Sequence, residues 1–228
     1  MTDQPEMRSM DEYAASIRHV PMPDRIRRLP LSPKNMPVPW FVAFIDGVPD
    51  FRVIGPGKIA EAWKRHKCWV CGDVLGANLA MTLGPMCAIN RTISEPPAHR
   101  ECAIYSCMAC PFLSNPRMRR NERGLPDDGQ DAAGFGIKRN PGAVAVWITR
   151  GVWPFKVHNG VLFTFDDPTE VLWFANGREA TRAEVDHSIS TGLPILFAEA
   201  EKEGPSAVAA LRKAIARAEQ YLPREAVS

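Results

Sequence analysis

Apolar and polar positions along this chain alternate between short two-periodic runs and helical stripes, without the strand–helix–strand rhythm that builds a parallel sheet. The stretch 40–54, WFVAFIDGVPDFRVI, is two apolar runs around Asp46-Gly47. Such a pair adopts the positive φ angles of a tight hairpin turn, and Pro49 confines the second run to a sheet edge. GKIAEAWKRHK (57–67) predicts a short helix with Ile59, Ala60 and Trp63 on one face. AVAVWIT (143–149) is a continuous buried strand, and WPFKVHNGVLFTF (153–165) is a second hairpin turning at Asn159-Gly160. In DDPTEVLWFANG (166–177) the signals are helical: Asp167 as N-cap, Pro168 at the first helical position, Glu170 closing a capping box and Asn176-Gly177 as the stop. Thr181 and Glu184 open a further helix running towards Thr191-Gly192. Val208, Leu211, Ile215, Ala218 and Leu222 then form the apolar stripe of a last one. The expected class is α+β, antiparallel hairpins with short helices.

This organisation divides the chain into four parts. Residues 1–36 are a Pro- and Arg-rich arm with a short helix around Asp11 to His19. Residues 37–116 hold the first hairpin and all six cysteines, 117–139 read as a charged linker or exposed loop, and 140–228 form an α+β region. With 228 residues and 45% hydrophobic composition the chain can build a continuous core. A formal net charge of +2 gives no global polybasic signal. The start, MTDQPEMRSMDEYAAS, has no apolar signal core, and no run approaches a membrane span. Cytoplasm is the expected compartment.

The cysteines change the picture. They lie only between Cys68 and Cys110, largely in CxxC pairs, as metal ligands do in a reducing compartment and loop-closing disulfides do not. Cys68-Trp-Val-Cys71-Gly72 is a knuckle that points two thiolates at one ion, with the glycine relieving the turn. SEPPAHREC supplies two more donors, because Ser94 and Pro96-Pro97 mark a helix start that places His99 and Cys102, three residues apart, on one face. A knuckle, a strand region (ANLAMTLGP) and two ligands at a helix start follow the order of a treble-clef zinc site. One structural zinc ion on Cys68, Cys71, His99 and Cys102 is therefore the expectation. Cys107 and Cys110 form a competing pair that would give an all-cysteine site, with Cys87 a spare. Cys102, Cys107 and Cys110 also show the C-x4-C-x2-C spacing of plant-type [2Fe-2S] proteins, although the remote fourth cysteine of that pattern would have to follow rather than precede them.

Nuclease chemistry of the HNH type, also built on treble clefs, needs a histidine base on the strand after the knuckle. ANLAMTLGPMCAINR has none, so Asn90 and Arg91 could contact a phosphate without cleaving it. Arg117, Arg119, Arg120 and Arg123 form one local cationic stretch, and Arg25, Arg27, Arg28 and Lys34 another. Each could track a phosphate backbone or be solvated surface charge. Trp69 either stacks on a partner or shields the metal, and Trp147, Trp153, Phe155, Phe163, Phe165, Trp173 and Phe174 read as core.

The motifs CWVCG, GPMCAINR, SEPPAHRECA and CPFL, with MPVPWFVAFIDGVPDFRVI before them and WFANGREATRAEV after, resemble a family of uncharacterised bacterial and phage-borne proteins. Cys68, Cys71, Cys87, His99, Cys102 and Cys110 sit in those motifs. The resemblance implies bacterial or phage origin and one architecture, but no reaction. The leading functional expectation is a non-enzymatic, zinc-stapled module that binds a macromolecule, with a protein partner ahead of nucleic acid. A nucleic-acid-binding or processing protein of treble-clef type comes second, and an iron-sulfur redox protein third.

Overall fold

A computed structural model describes residues 8–119, 121–123, 133–134 and 140–225. The fold is α+β, with every strand pairing antiparallel. Two 3₁₀ turns (Met10–Glu12, Ala15–Ile17) and helix α1 (Asp24–Arg27) lead into the hairpin of β1 (Val42–Ile45) and β2 (Val48–Ile54). Helix α2 (Lys58–Lys64), the Cys68–Cys71 turn, β3 (Leu79–Leu83), α3 (Pro85–Asn90) and β4 (Thr92–Ile93) follow, then α4 (Arg100–Ala109) and α5 (Pro111–Ser114). The second half carries β5 (Val144–Thr149), β6 (Val152–Val157), β7 (Gly160–Phe165), β8 (Glu170–Ala175), β9 (Arg178–Glu179), α6 (Arg182–Glu203) and α7 (Pro205–Ala218). Sheet order is β1-β2, β3-β5-β8-β9 and β4-β7-β6.

Strand β5 organises the interior. Because side chains alternate across a strand, Val144, Val146 and Ile148 enter one core cluster while Ala145 and Trp147 enter another. This burial on both faces is why the run reads as unbroken apolar. The first cluster joins the N-terminal segment (Tyr13, Ile17, Val20, Ile26), the cysteine turn and α4. The second joins β6, β7 and Val185 of α6. Residues 8–36 are thus built into the core, and their 3₁₀ turns stand where one short helix was expected.

The Asp46-Gly47 turn forms as read, both residues at positive φ (50° and 78°). The second hairpin turns one residue early. Val157 pairs with Gly160, so His158 and Asn159 make the turn and Gly160 opens β7. Helix α2 presents Ala62, rather than Ala60, to the core. The expected helix over 167–177 is a strand. Val171-Leu-Trp-Phe suits a sheet, and β5 offers it a full ladder from Val144–Phe174 to Ile148–Glu170. The Asn176-Gly177 pair, read as a helix stop, is instead the tight turn into β9, with φ of 55° and 73°. The Thr181–Glu184 capping box does start α6, yet the helix runs through Gly192 and Pro194 to Glu203. Gly192 packs against Met86 of α3 so closely that a Cβ would lie 2.8 Å from its sulfur, so it serves as a contact rather than a stop. The apolar stripe of α7 holds, with Leu211 buried.

Candidate metal centre

The turn between α2 and β3 is fixed by its backbone before any ligand acts. Cys68 N–H donates to Asp73 O (2.7 Å) and Gly72 N–H to Cys68 O (2.9 Å). Gly72 has φ 79°, and a Cβ there would lie 2.6 Å from the Trp40 ring, so both conformation and contact require glycine. Trp69 N–H donates to Pro97 O, which ties the turn to the segment leading into α4. Helix α4 begins later than Ser94 suggested: His99 is its N-cap and Cys102 lies in its first turn. Two prolines set the extended approach, and the helix then turns Cys102 back towards the knuckle.

These elements bring Cys68, Cys71, His99 and Cys102 together, with one donor atom of each within 4.8 Å of all the others. Cys68 and Cys102 are fully buried and His99 nearly so. His99 Nδ1 lies 3.4 Å from Cys71 Sγ and 4.0 Å from Cys102 Sγ. A tetrahedral zinc ion with Zn–S near 2.3 Å and Zn–N near 2.1 Å separates neighbouring donors by about 3.6 Å, so the observed spacings bracket what such an ion needs. His99 Nε2 sits 3.1 Å from Val74 O. A proton on Nε2 satisfies that carbonyl and leaves Nδ1 as the free lone pair aimed at the sulfurs, the outer-shell arrangement that orients a ligating imidazole. The set can hold one metal ion.

Its electrostatics point the same way. Cys68 Sγ accepts backbone N–H groups from Cys71 (3.4 Å) and His99 (3.3 Å). Hydrogen bonds from the Cys102 and Cys71 thiols hold Cys68 far below the usual thiol range. Cys102 is driven far up because its proton serves Cys68, then Cys71, in a buried site. Cys71 accepts from Cys102 but gives its own proton to Cys68, and is pushed up to about 12. His99 is raised by its contact with Cys68, against burial. Three sulfurs packed this closely oppose one another's ionisation, and a dication favours their thiolate forms by supplying positive charge.

The remaining cysteines are outside this group. Burial pushes the Cys87 thiol up to about 11 and raises Cys107 and Cys110. Neither Cys107 nor Cys110 joins the donor group found among the described residues, so the all-cysteine alternative is not assembled there. The C-x4-C-x2-C triplet is likewise not gathered, since Cys102 lies with the knuckle donors while Cys107 and Cys110 are outside that group.

The arginines also divide. Arg25 donates to Asp73 (2.9 Å) and Glu101 (3.2 Å), and Arg28 to Asp73 (3.0 Å). This strap joins the residue after the knuckle to the first turn of α4. The sequence reading missed it, because its partners are 45 to 76 residues apart; the only signal was an acidic residue directly after CxxCG. Arg27 bonds the Arg8 carbonyl. Arg91, expected near a phosphate, is buried in the left-handed conformation. It pairs with Asp167 at 2.5 Å, and its guanidinium lies 4.2 Å from the Trp147 ring centroid. Asp167, the expected N-cap, is held below the ordinary carboxylate range by Arg91 and then by the Tyr221 hydroxyl. Arg117, Arg119 and Arg123 are exposed, whereas Arg120 and much of the expected linker lie outside the described residues. Trp69 is buried and stacked on Phe41 (4.7 Å, 5°), so its ring is not free to stack on a partner. Trp153 and Phe155 are surface residues, not core. No described helix is long and apolar enough to cross a membrane. Comparison with protein-family models, curated proteins and solved structures returns no match.

Proposed function

We propose that the chain is a zinc-stapled binding module in which Cys68, Cys71, His99 and Cys102 hold one structural ion and the folded surface binds a macromolecule. The carrying observation is that the donor set is closed: four donors converge from buried positions, and the spare nitrogen of His99 is committed to Val74 O. Three sulfurs and one imidazole at tetrahedral spacing suit zinc, and a bound ion would supply cohesion between the 68–71 turn and α4. The treble-clef reading is supported by the order knuckle, β3, α4 and by the Ala80–Ala98 bridge that brings the strand to the residue before His99. Origin in a bacterium or phage rests on the motif resemblance.

A protein partner is supported by the β1–β2 hairpin, where Phe44, Ile45, Val48 and Phe51 are all exposed on its two faces. A nucleic-acid partner is supported by a different surface, the outer face of β6, with its two exposed aromatic rings.

Cobalt(II) substitution tests the structural assignment of the ion. A closed site of three sulfurs and one nitrogen gives thiolate-to-cobalt charge transfer and a tetrahedral ligand-field pattern that azide or cyanate leaves unchanged. A ligand-field pattern that shifts with added anion would mean an open coordination position, and with it a catalytic metal.

A further inference from the structure

One face of the β4-β7-β6 sheet packs into the core; on the other, Gly134 lies against Leu162 while Trp153 and Phe155 stay exposed. Val152, Phe163 and Phe165 point into the second core cluster. Their neighbours in the ladder, Trp153 opposite Thr164 and Phe155 opposite Leu162, point the other way, and Trp153 and Phe155 remain 49% and 40% exposed. They lie two residues apart on one strand, a backbone spacing of about 6.8 Å. Trp153 folds back over Gly151, where a Cβ would collide with its ring, so glycine is needed for the indole to lie on the sheet.

At the free edge of β6 this face runs into a cavity of about 200 Å³, walled by Trp63, Leu79, Pro97 and Trp153, with His66 and Arg150 also lining it. The lining is mostly apolar. Arg150 is exposed and makes no ion pair among the described residues. Lys64, between Trp63 and His66 in the chain, is likewise exposed and unpaired among them. Asp166 is the acidic group closest to this surface, its carboxylate closing on Gly151 beside Trp153. It offers an acceptor to an exocyclic amine.

Flat aromatic faces for stacking, an apolar slot the size of one ring and the Arg150 cation lining it are the chemistry that recognises an unpaired base with its phosphate. We infer that the outer face of β6, with the Trp63–Trp153 cavity and Arg150, binds single-stranded nucleic acid. The inference rests on the binding-module reading above and moves the nucleic-acid surface away from Arg117–Arg123.

The test is fluorescence anisotropy with labelled single-stranded DNA and RNA oligomers about twelve nucleotides long, within the usual site sizes, and with the matching duplex. It uses the full-length, metal-loaded protein at low salt. Both or either single strand should bind, and the duplex should bind more weakly; the DNA and RNA arms identify the source. Trp153→Ala should weaken binding about tenfold or more through lost stacking. Arg150→Gln should lower the slope of log K against log salt by about 0.7, one phosphate contact. Zinc content and circular dichroism of each variant must match wild type. Folded, zinc-loaded wild type that binds neither strand overturns this inference but leaves the module standing. Binding that is equal for duplex and unmoved by Trp153→Ala overturns it too. A protein whose fold ignores the metal refutes the module reading instead.

Discussion

Chelation of the metal should unfold the first core cluster, and Cys102→Ser should do the same without chelator. Structural zinc contributes roughly 10–16 kcal/mol in small zinc-binding peptides, against a total stability of roughly 5–15 kcal/mol for a domain. Even a fraction of that figure is comparable with everything else holding the fold. The reason is local. Cys68, Cys102 and Trp69 all belong to the first cluster, which also contains the N-terminal segment and one face of β5. Without an ion, the close-packed sulfurs resist ionising together, and the proposed cross-link between the turn and α4 is lost. The Arg25–Asp73–Glu101 strap is half-exposed, so it compensates little. Thermal melts with and without a strong chelator check this, with Cys107→Ser as control. That variant puts a hydroxyl in a buried site and should lose about 1–3 kcal/mol, while remaining as sensitive to chelator as wild type.

Trp147→Ala should produce the largest loss away from the metal. Trp147 is fully buried on the central strand. Its indole N–H donates to Asp166 O at 3.0 Å, and its ring meets Phe165 and Tyr221 edge-on at 5.6 and 4.8 Å. The buried guanidinium of Arg91 lies over it. Truncation opens a cavity and strips an apolar cover from that cation, for about 3–5 kcal/mol. In a domain of this size the melting temperature should fall by roughly 10 °C. Zinc stoichiometry should be unchanged, since β5 presents Trp147 to the second cluster and the centre lies beside the first. An unaltered melting curve would mean that the two faces of β5 are not one cooperative core.

The convergence of Cys68, Cys71, His99 and Cys102 was legible because its geometry is local at both ends. A CxxCG turn fixes two donors by itself, and a His-x-x-Cys spacing at a helix start fixes two more. What spacing could not decide was which cysteines face that turn; the direction of α4 excludes Cys107. Hairpins with Asp46-Gly47 and the buried run of β5 were equally readable, since each signal sits within a few residues. The error over 167–177 had a physical cause. Asp-Pro followed by Glu satisfies the start rules of a helix, and Asn-Gly satisfies its stop, but the same Asn-Gly is a hairpin turn, and β5 needed a partner strand. Tertiary pairing decided between two locally acceptable states. Arg25, Arg28 and Arg91 were misread for a related reason: a cation looks free in sequence until the fold brings Asp73 or Asp167 to it. Trp153 and Phe155 were the opposite case, aromatic residues assigned to a core that covers only one face of their sheet.

The proposed metal and its four donors are the centre of this account, and elemental analysis of purified wild type, Cys71→Ser, His99→Ala and Cys107→Ser measures them directly. About one zinc per chain in wild type and Cys107→Ser, with loss or marked weakening in the other two, is the predicted result. Zinc retained in His99→Ala and lost in Cys107→Ser, or wild-type protein that folds and binds no zinc, would contradict it.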